Sequence, residues 1–110
     1  MDLWSWGNTS ITNYNALDLY NDRISWYNYG NDPDDYYINL VTDIWYSLAI
    51  SYDGLYINYY LNGNKVLAAN TSSLSAFSVD PNTTLSIGRD IGRNTSYFNG
   101  KIRDFRIYNK

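Results

Sequence analysis

Residues 45–69 read WYSLAISYDGLYINYYLNGNKVLAA, and this stretch decides the fold. Tyr46, Leu48, Ile50 and Tyr52 alternate with Trp45, Ser47, Ala49 and Ser51. That two-residue period turns successive side chains to opposite faces of a sheet. Asp53-Gly54 follows, a pair that tolerates the positive φ of a two-residue hairpin. Leu55, Ile57, Tyr59 and Leu61 then share one face, while Tyr56, Asn58 and Tyr60 share the other. Asn62-Gly63 closes a second hairpin, and residues 65–69 start the way back. The stretch predicts three antiparallel strands with an aliphatic stripe on one side.

Working outward, the same grammar recurs. Leu3, Trp4 and Trp6 open the chain as a short strand that ends at Gly7-Asn8, and residues 13–15 read as loop. Residues 16–20 form a second strand and Asn21-Asp22 a turn. Residues 23–29 form a third strand, with Ile24, Trp26 and Asn28 on one face. The acidic run 31–35 is a loop, because proline cannot donate to a ladder and aspartate caps its own turn. Residues 36–41 make a strand leading into Trp45, and residues 85–88 another. Residues 90–96 are loop, and 98–108 the final strand, in which Ile102 differs in parity from Phe105 and Ile107. That mismatch predicts a β-bulge near Arg103-Asp104. With no sustained 3.6-residue period, eight or nine short strands imply an all-β, antiparallel two-sheet jelly-roll sandwich.

A chain of 110 residues reads as a single domain, able to bury roughly two-thirds of its unfolded surface without staples. Cysteine is absent, which leaves neither disulfides nor thiolate metal sites. The net charge is -3, with 8 basic and 11 acidic residues. No basic patch is dense enough for nucleic acid, whose binding rests on many Lys/Arg–phosphate contacts. No run approaches the ~20 apolar residues of a membrane span. MDLWSWGNTS lacks the charged and apolar regions of a signal peptide. Histidine and glutamate are missing as well, and glutamine with them, whereas there are 13 tyrosines and 4 tryptophans. Tyrosine and tryptophan suit a half-buried pleated surface and also make amphipathic binding platforms.

Four pieces in order resemble a known family. They are Trp45-Tyr46-Ser47-Leu48-Ala49 with Tyr52-Asp53-Gly54, Tyr60-Leu61-Asn62-Gly63, Leu85-Ser86-Ile87-Gly88, and residues 98–108, FNGKIRDFRIY. The chain resembles the laminin-G-like, concanavalin A-like lectin/glucanase jelly rolls, in a compact or N-terminally short form. The resemblance implies a concanavalin A-like fold. It also implies an earlier strand pairing with the last; here that partner is absent, or residues 3–6 serve in its place. An unpaired last strand exposes backbone donors and acceptors to another chain, which leaves a homo-oligomer through an edge strand open.

The superfamily's glucanases resemble one another in a strand bearing two glutamates around an aspartate, the pair of a retaining mechanism. No glutamate exists here, and no histidine can serve a serine or cysteine nucleophile. The chain therefore reads as no enzyme. Zinc and copper lack their usual ligands. Calcium takes carboxylate oxygens, and the resemblance implies one Ca2+ at a loop rim. The candidates are Asp32, Asp34 and Asp35, more loosely Asp22 or Asp90; turn-forming acids without an ion are the alternative. Aromatic faces stack on sugar rings while polar groups bond the hydroxyls. The candidates for that are Trp26, Tyr27 and Tyr29 beside the acidic loop, and Trp45 with Tyr56 and Tyr60. The alternative reading makes them core or cross-strand pairs. Arg89 and Arg93 could meet an anionic glycan or protein, or form a solvated pair with Asp90. Asn8, Asn70, Asn82 and Asn94 open glycosylation sequons. The functional expectation is a non-catalytic recognition or adhesion module for carbohydrate, outside the cell or on a virion or cell surface. A structural assembly protein acting through protein–protein contacts is the alternative.

Overall fold

A computed structural model of the chain describes residues 1–7, 14–28, 33–71, 82–91 and 96–108. Its strands are β1 (Asp2–Trp6), β2 (Asn15–Leu19), β3 (Arg23–Asn28), β4 (Tyr36–Tyr37), β5 (Leu48–Tyr52), β6 (Tyr56–Leu61), β7 (Asn64–Asn70) and β8 (Leu85–Ile87). They form a five-stranded sheet in the order β4-β3-β2-β1-β8 and a three-stranded sheet in the order β5-β6-β7. Every pairing is antiparallel, and no helix occurs among the described residues. The two-layer all-β architecture expected from the alternation is the one observed.

Residues 48–70 carry the meander that the sequence spells out. Leu48 pairs with Leu61, Ile50 with Tyr59 and Tyr52 with Ile57, which puts the aliphatic stripe on one face. At the second turn Asn62 and Gly63 take φ of 50° and 83°, the two positive values of a type I′ hairpin. The first turn is shifted by one residue. Asp53 N–H donates to the Tyr56 carbonyl at 3.2 Å, so the loop is Gly54-Leu55, and Gly54 alone has positive φ, 96°. Asp53 instead caps the turn, its Oδ1 accepting from the amides of Leu55 (3.0 Å) and Tyr56 (2.7 Å). These bonds hold its carboxyl below the usual range. Leu55 is consequently exposed rather than part of the inner stripe.

At Gly63 an added Cβ would meet nothing within 4 Å, so the cost of a side chain there is purely conformational. Gly63→Ala is expected to destabilise by about 1–2 kcal/mol, a fall in Tm of about 4–8 °C per kcal/mol. Calorimetry checks this; an unchanged Tm would show that the turn does not need its left-handed second residue.

The two sheets share one core. Leu17 and Ile24 of the larger sheet pack with Ile57, Tyr59, Leu61 and Ala69 of the smaller, and Trp4, Trp26, Leu48, Ile50 and Leu67 close around them. Tyr59 is fully buried, and its hydroxyl accepts the Trp26 N–H at 3.1 Å. That bond crosses from layer to layer. β4 pairs only Arg23 and Ile24 of β3, so Trp26 lies beyond its reach, and the tyrosine hydroxyl takes up its amide.

Other boundaries shift. The first strand of the meander begins at Leu48 rather than Trp45, and only Tyr36–Tyr37 of residues 36–41 is paired. Residues 98–108 form no strand. Ser96 and Asp104 have φ of 59° and 55°, left-handed values that interrupt an extended path. The β-bulge expected at Arg103-Asp104 is therefore not formed: Asp104 turns the chain where there is no ladder to bulge. β1 lies between β2 and the edge strand β8. It is tied in further by Asp2 N–H to the Ser96 carbonyl (3.0 Å) and Gly88 N–H to the Leu3 carbonyl (2.9 Å).

Candidate functional site

The outer face of the five-stranded sheet follows from its register. Ser25 pairs with Asp18, Tyr27 with Ala16, and Arg23 with Tyr37, a parity opposite to that of Leu17, Ile24 and Trp26 in the core. Toward the β4 edge this face opens into a cleft of about 530 Å³, lined by Tyr20, Arg23, Ser25, Tyr27, Pro33, Asp34, Asp35 and Tyr37. The size falls within the ~300–1,000 Å³ of small-molecule sites.

Arg23 organises the cleft. Its Nη1 lies 3.1 Å from Asp22 Oδ1 and its Nε 2.9 Å from Asp35 Oδ2. The guanidinium sits 4.2 Å from the centroid of the Tyr20 ring and 6.0 Å from that of Tyr37, a cation held against aromatic faces. Partial burial and the nearby Asp18 carboxylate push the Tyr20 phenol up. Tyr37 is 68% exposed, so most of its ring is open to a visitor. Three tyrosines, a guanidinium, a hydroxyl and two carboxylates therefore converge, an apolar surface with a few directed polar groups.

A second polar group lies on the same face but is closed. Asp2 is buried beside Asp18, its register partner across an irregularity in β1. Burial first, then a hydrogen bond to Asp18 and the charges of Asp18 and Asp90, push the Asp2 carboxyl up to about 8. At neutral pH it holds its proton and donates it to Asp18. Tyr14, also buried, donates to Asp90 Oδ1 at 2.5 Å, and burial pushes its phenol up. Ser5 Oγ donates to the Arg89 carbonyl (2.9 Å) and accepts from the Ile91 amide (2.8 Å). Asp2 and Asp90 are 4% and 2% exposed, too enclosed for a substrate to reach.

The sequence candidates distribute unevenly. Tyr27, Asp34 and Asp35 all line the cleft. Trp26 does not: it faces the core, edge-to-face with Trp4 at a centroid distance of 5.0 Å. Trp45 is exposed ahead of β5, with the Arg103 guanidinium 4.6 Å from its ring centroid. Tyr56 and Tyr60 are half-buried on the outer face of the smaller sheet. Arg89 bonds Ser86 Oγ through Nε at 3.0 Å, and Asp90 is taken by Tyr14, so the pair is not a solvated one. Tyr29, Asp32 and Arg93 lie outside the described residues, as do Asn8 and Asn94; Asn70 and Asn82 are exposed. Among the described residues no group of three acids is placed to hold a metal ion. Asp35 is instead paired with Arg23, its Oδ2 2.9 Å from Nε.

Tyr20, Arg23, Ser25 and Tyr37 escaped the sequence reading. A signal was present: Arg23, Ser25 and Tyr27 alternate with the core residues Ile24 and Trp26, so one outer stripe joins them.

The family model described as the concanavalin A-like lectin/glucanases superfamily matches residues 4–110. No curated protein and no solved structure matches the chain.

Proposed function

We propose, from the premise that the chain belongs to the concanavalin A-like lectin/glucanase superfamily, that it is a non-catalytic recognition module binding carbohydrate in the cleft beside β4. Laminin-G-like domains bind glycans or proteins and are typically extracellular or surface-associated, although the wider superfamily includes glycosidases. The observation that carries the reading is the cleft itself. Its tyrosine rings offer faces for a pyranose, and Arg23, Ser25, Asp34 and Asp35 offer bonds to its hydroxyls. A chain without glutamate or histidine has no acid–nucleophile pair of the glucanase kind and no imidazole base. We place it at a cell or virion surface.

Titration with a panel of oligosaccharides, with and without Ca2+, tests this. Saturable binding that Tyr37→Ala weakens about ten-fold supports it, since an aromatic contact contributes about 0.5–1.5 kcal/mol beyond its buried area. Binding unaffected by chelator is expected, because Arg23 already pairs with Asp35. A second reading is assembly through protein–protein contacts. It is favoured by residues 100–108, whose backbone makes no hydrogen bond to another described residue, so that a neighbouring chain could pair with it. A defined oligomer with no affinity for any saccharide would favour it.

A further inference from the structure

We infer that the saccharide held in the cleft carries a protonated amine: an amino sugar rather than a neutral or anionic one. This rests on the carbohydrate reading above and adds a charge requirement to it. Asp22 and Asp35 pair with the one guanidinium, and Asp34 adds a third carboxylate to the cleft wall, a formal charge of -2 in all. Arg23 is already engaged by two of them. Asp34 is exposed at the cleft wall and has no partner among the described residues. An anionic sugar would meet Asp34 and find the guanidinium committed, whereas an ammonium group would gain a charge-assisted bond.

The floor supplies a second, independent observation. Ser25 is only 8% exposed, it lines the cleft, and its hydroxyl has no partner among the described residues. The residue is thus held in the sheet while its hydroxyl is left to bond whatever enters the cleft, a ligand atom or water. One donor and two acceptor sites make it suited to a sugar hydroxyl. Tyr37 then serves twice. Its open face stacks on the ring's C–H side, and its quadrupole attracts a nearby ammonium. Tyr20 offers no equivalent, because Arg23 covers its ring at 4.2 Å.

The test is calorimetric titration at slightly acidic pH and low salt with four probes: the glucosamine tetrasaccharide, its fully N-acetylated counterpart, cellotetraose and tetralysine. The amino tetrasaccharide is expected to bind at least about ten-fold tighter than either neutral one, with the preference shrinking in high salt. Asp34→Asn, at an exposed position, is expected to abolish most of that preference, weakening the amino tetrasaccharide about ten-fold more than either neutral sugar. Equal affinity for the amine and its N-acetyl form would overturn the charge requirement and leave the carbohydrate reading standing. Absence of binding by all three saccharides would overturn both. Tetralysine matching the amino tetrasaccharide would overturn it too, by showing that charge alone is read.

Discussion

Asp2→Asn is expected to be more stable than the parent protein at pH 8–9 and to lose most of its pH dependence between pH 4 and 9. The carboxyl of Asp2 is raised to about 8 by burial and by Asp18, whereas in the unfolded chain it titrates near 3.8. A raised folded value means that the native state binds the extra proton. The stability this contributes is fully present below about pH 4 and is lost as pH rises through about 8. A shift of that size corresponds to a loss on the order of a few kcal/mol. Met1 N–H3+ opposes the shift, and Asp18, Asp90 and Tyr14 surround the group. An asparagine side-chain amide keeps the donor toward Asp18 and cannot ionise. Urea midpoints measured at several pH values decide it. Parallel curves for the two proteins would mean that Asp2 is already ionised in the fold.

Tyr59→Ala is expected to cost about 3–5 kcal/mol, the range for emptying a buried aromatic site. That is a large share of the ~5–15 kcal/mol that holds a domain of this kind folded. Tyr59 is 0% exposed, and it contacts the core while its hydroxyl accepts the Trp26 amide at 3.1 Å. The two roles separate in Tyr59→Phe, which keeps the ring and removes the acceptor. Leaving that amide short of a bond is expected to cost about 1–2 kcal/mol. Chemical denaturation of both variants measures the difference. If the phenylalanine variant matched the parent, the hydroxyl would be no tie between the layers, and the sheets would be held by apolar packing alone.

Much of this fold is legible from residue order because its grammar is local. Residues 48–70 declare three strands, their faces and the Asn62-Gly63 turn through alternation, and the observed pairing follows, apart from the one-residue shift of the first turn and a slip in register at Tyr59/Tyr60. What was misread depends on distant partners. Residues 98–108 alternate well enough to be a strand, yet a strand exists only beside another, and no described strand lies alongside. Asp90 looked like a solvated loop acid. Only the folded sheet brings Tyr14 to it, 76 positions away in the chain. The cleft was half legible. Tyr27, Asp34 and Asp35 were picked for their chemistry, but Arg23 and Tyr37 become neighbours through a register that no composition reveals. Trp26 was misjudged for the opposite reason: its chemistry suited a sugar, and its parity already consigned it to the interior.

The two sheets also differ in how far their strands reach along the chain. β5, β6 and β7 come from one unbroken stretch, whereas β1 must meet β8, with Trp4 opposite Ile87 and Trp6 opposite Leu85. Loop closure over such a span delays pairing, while adjacent hairpins form within microseconds. Refolding is therefore expected to begin in the meander and finish when the opening strand is closed in between β2 and β8. Pulse-labelled hydrogen exchange would show amides of β6 protected ahead of those of β1; simultaneous protection would contradict this sequence of events.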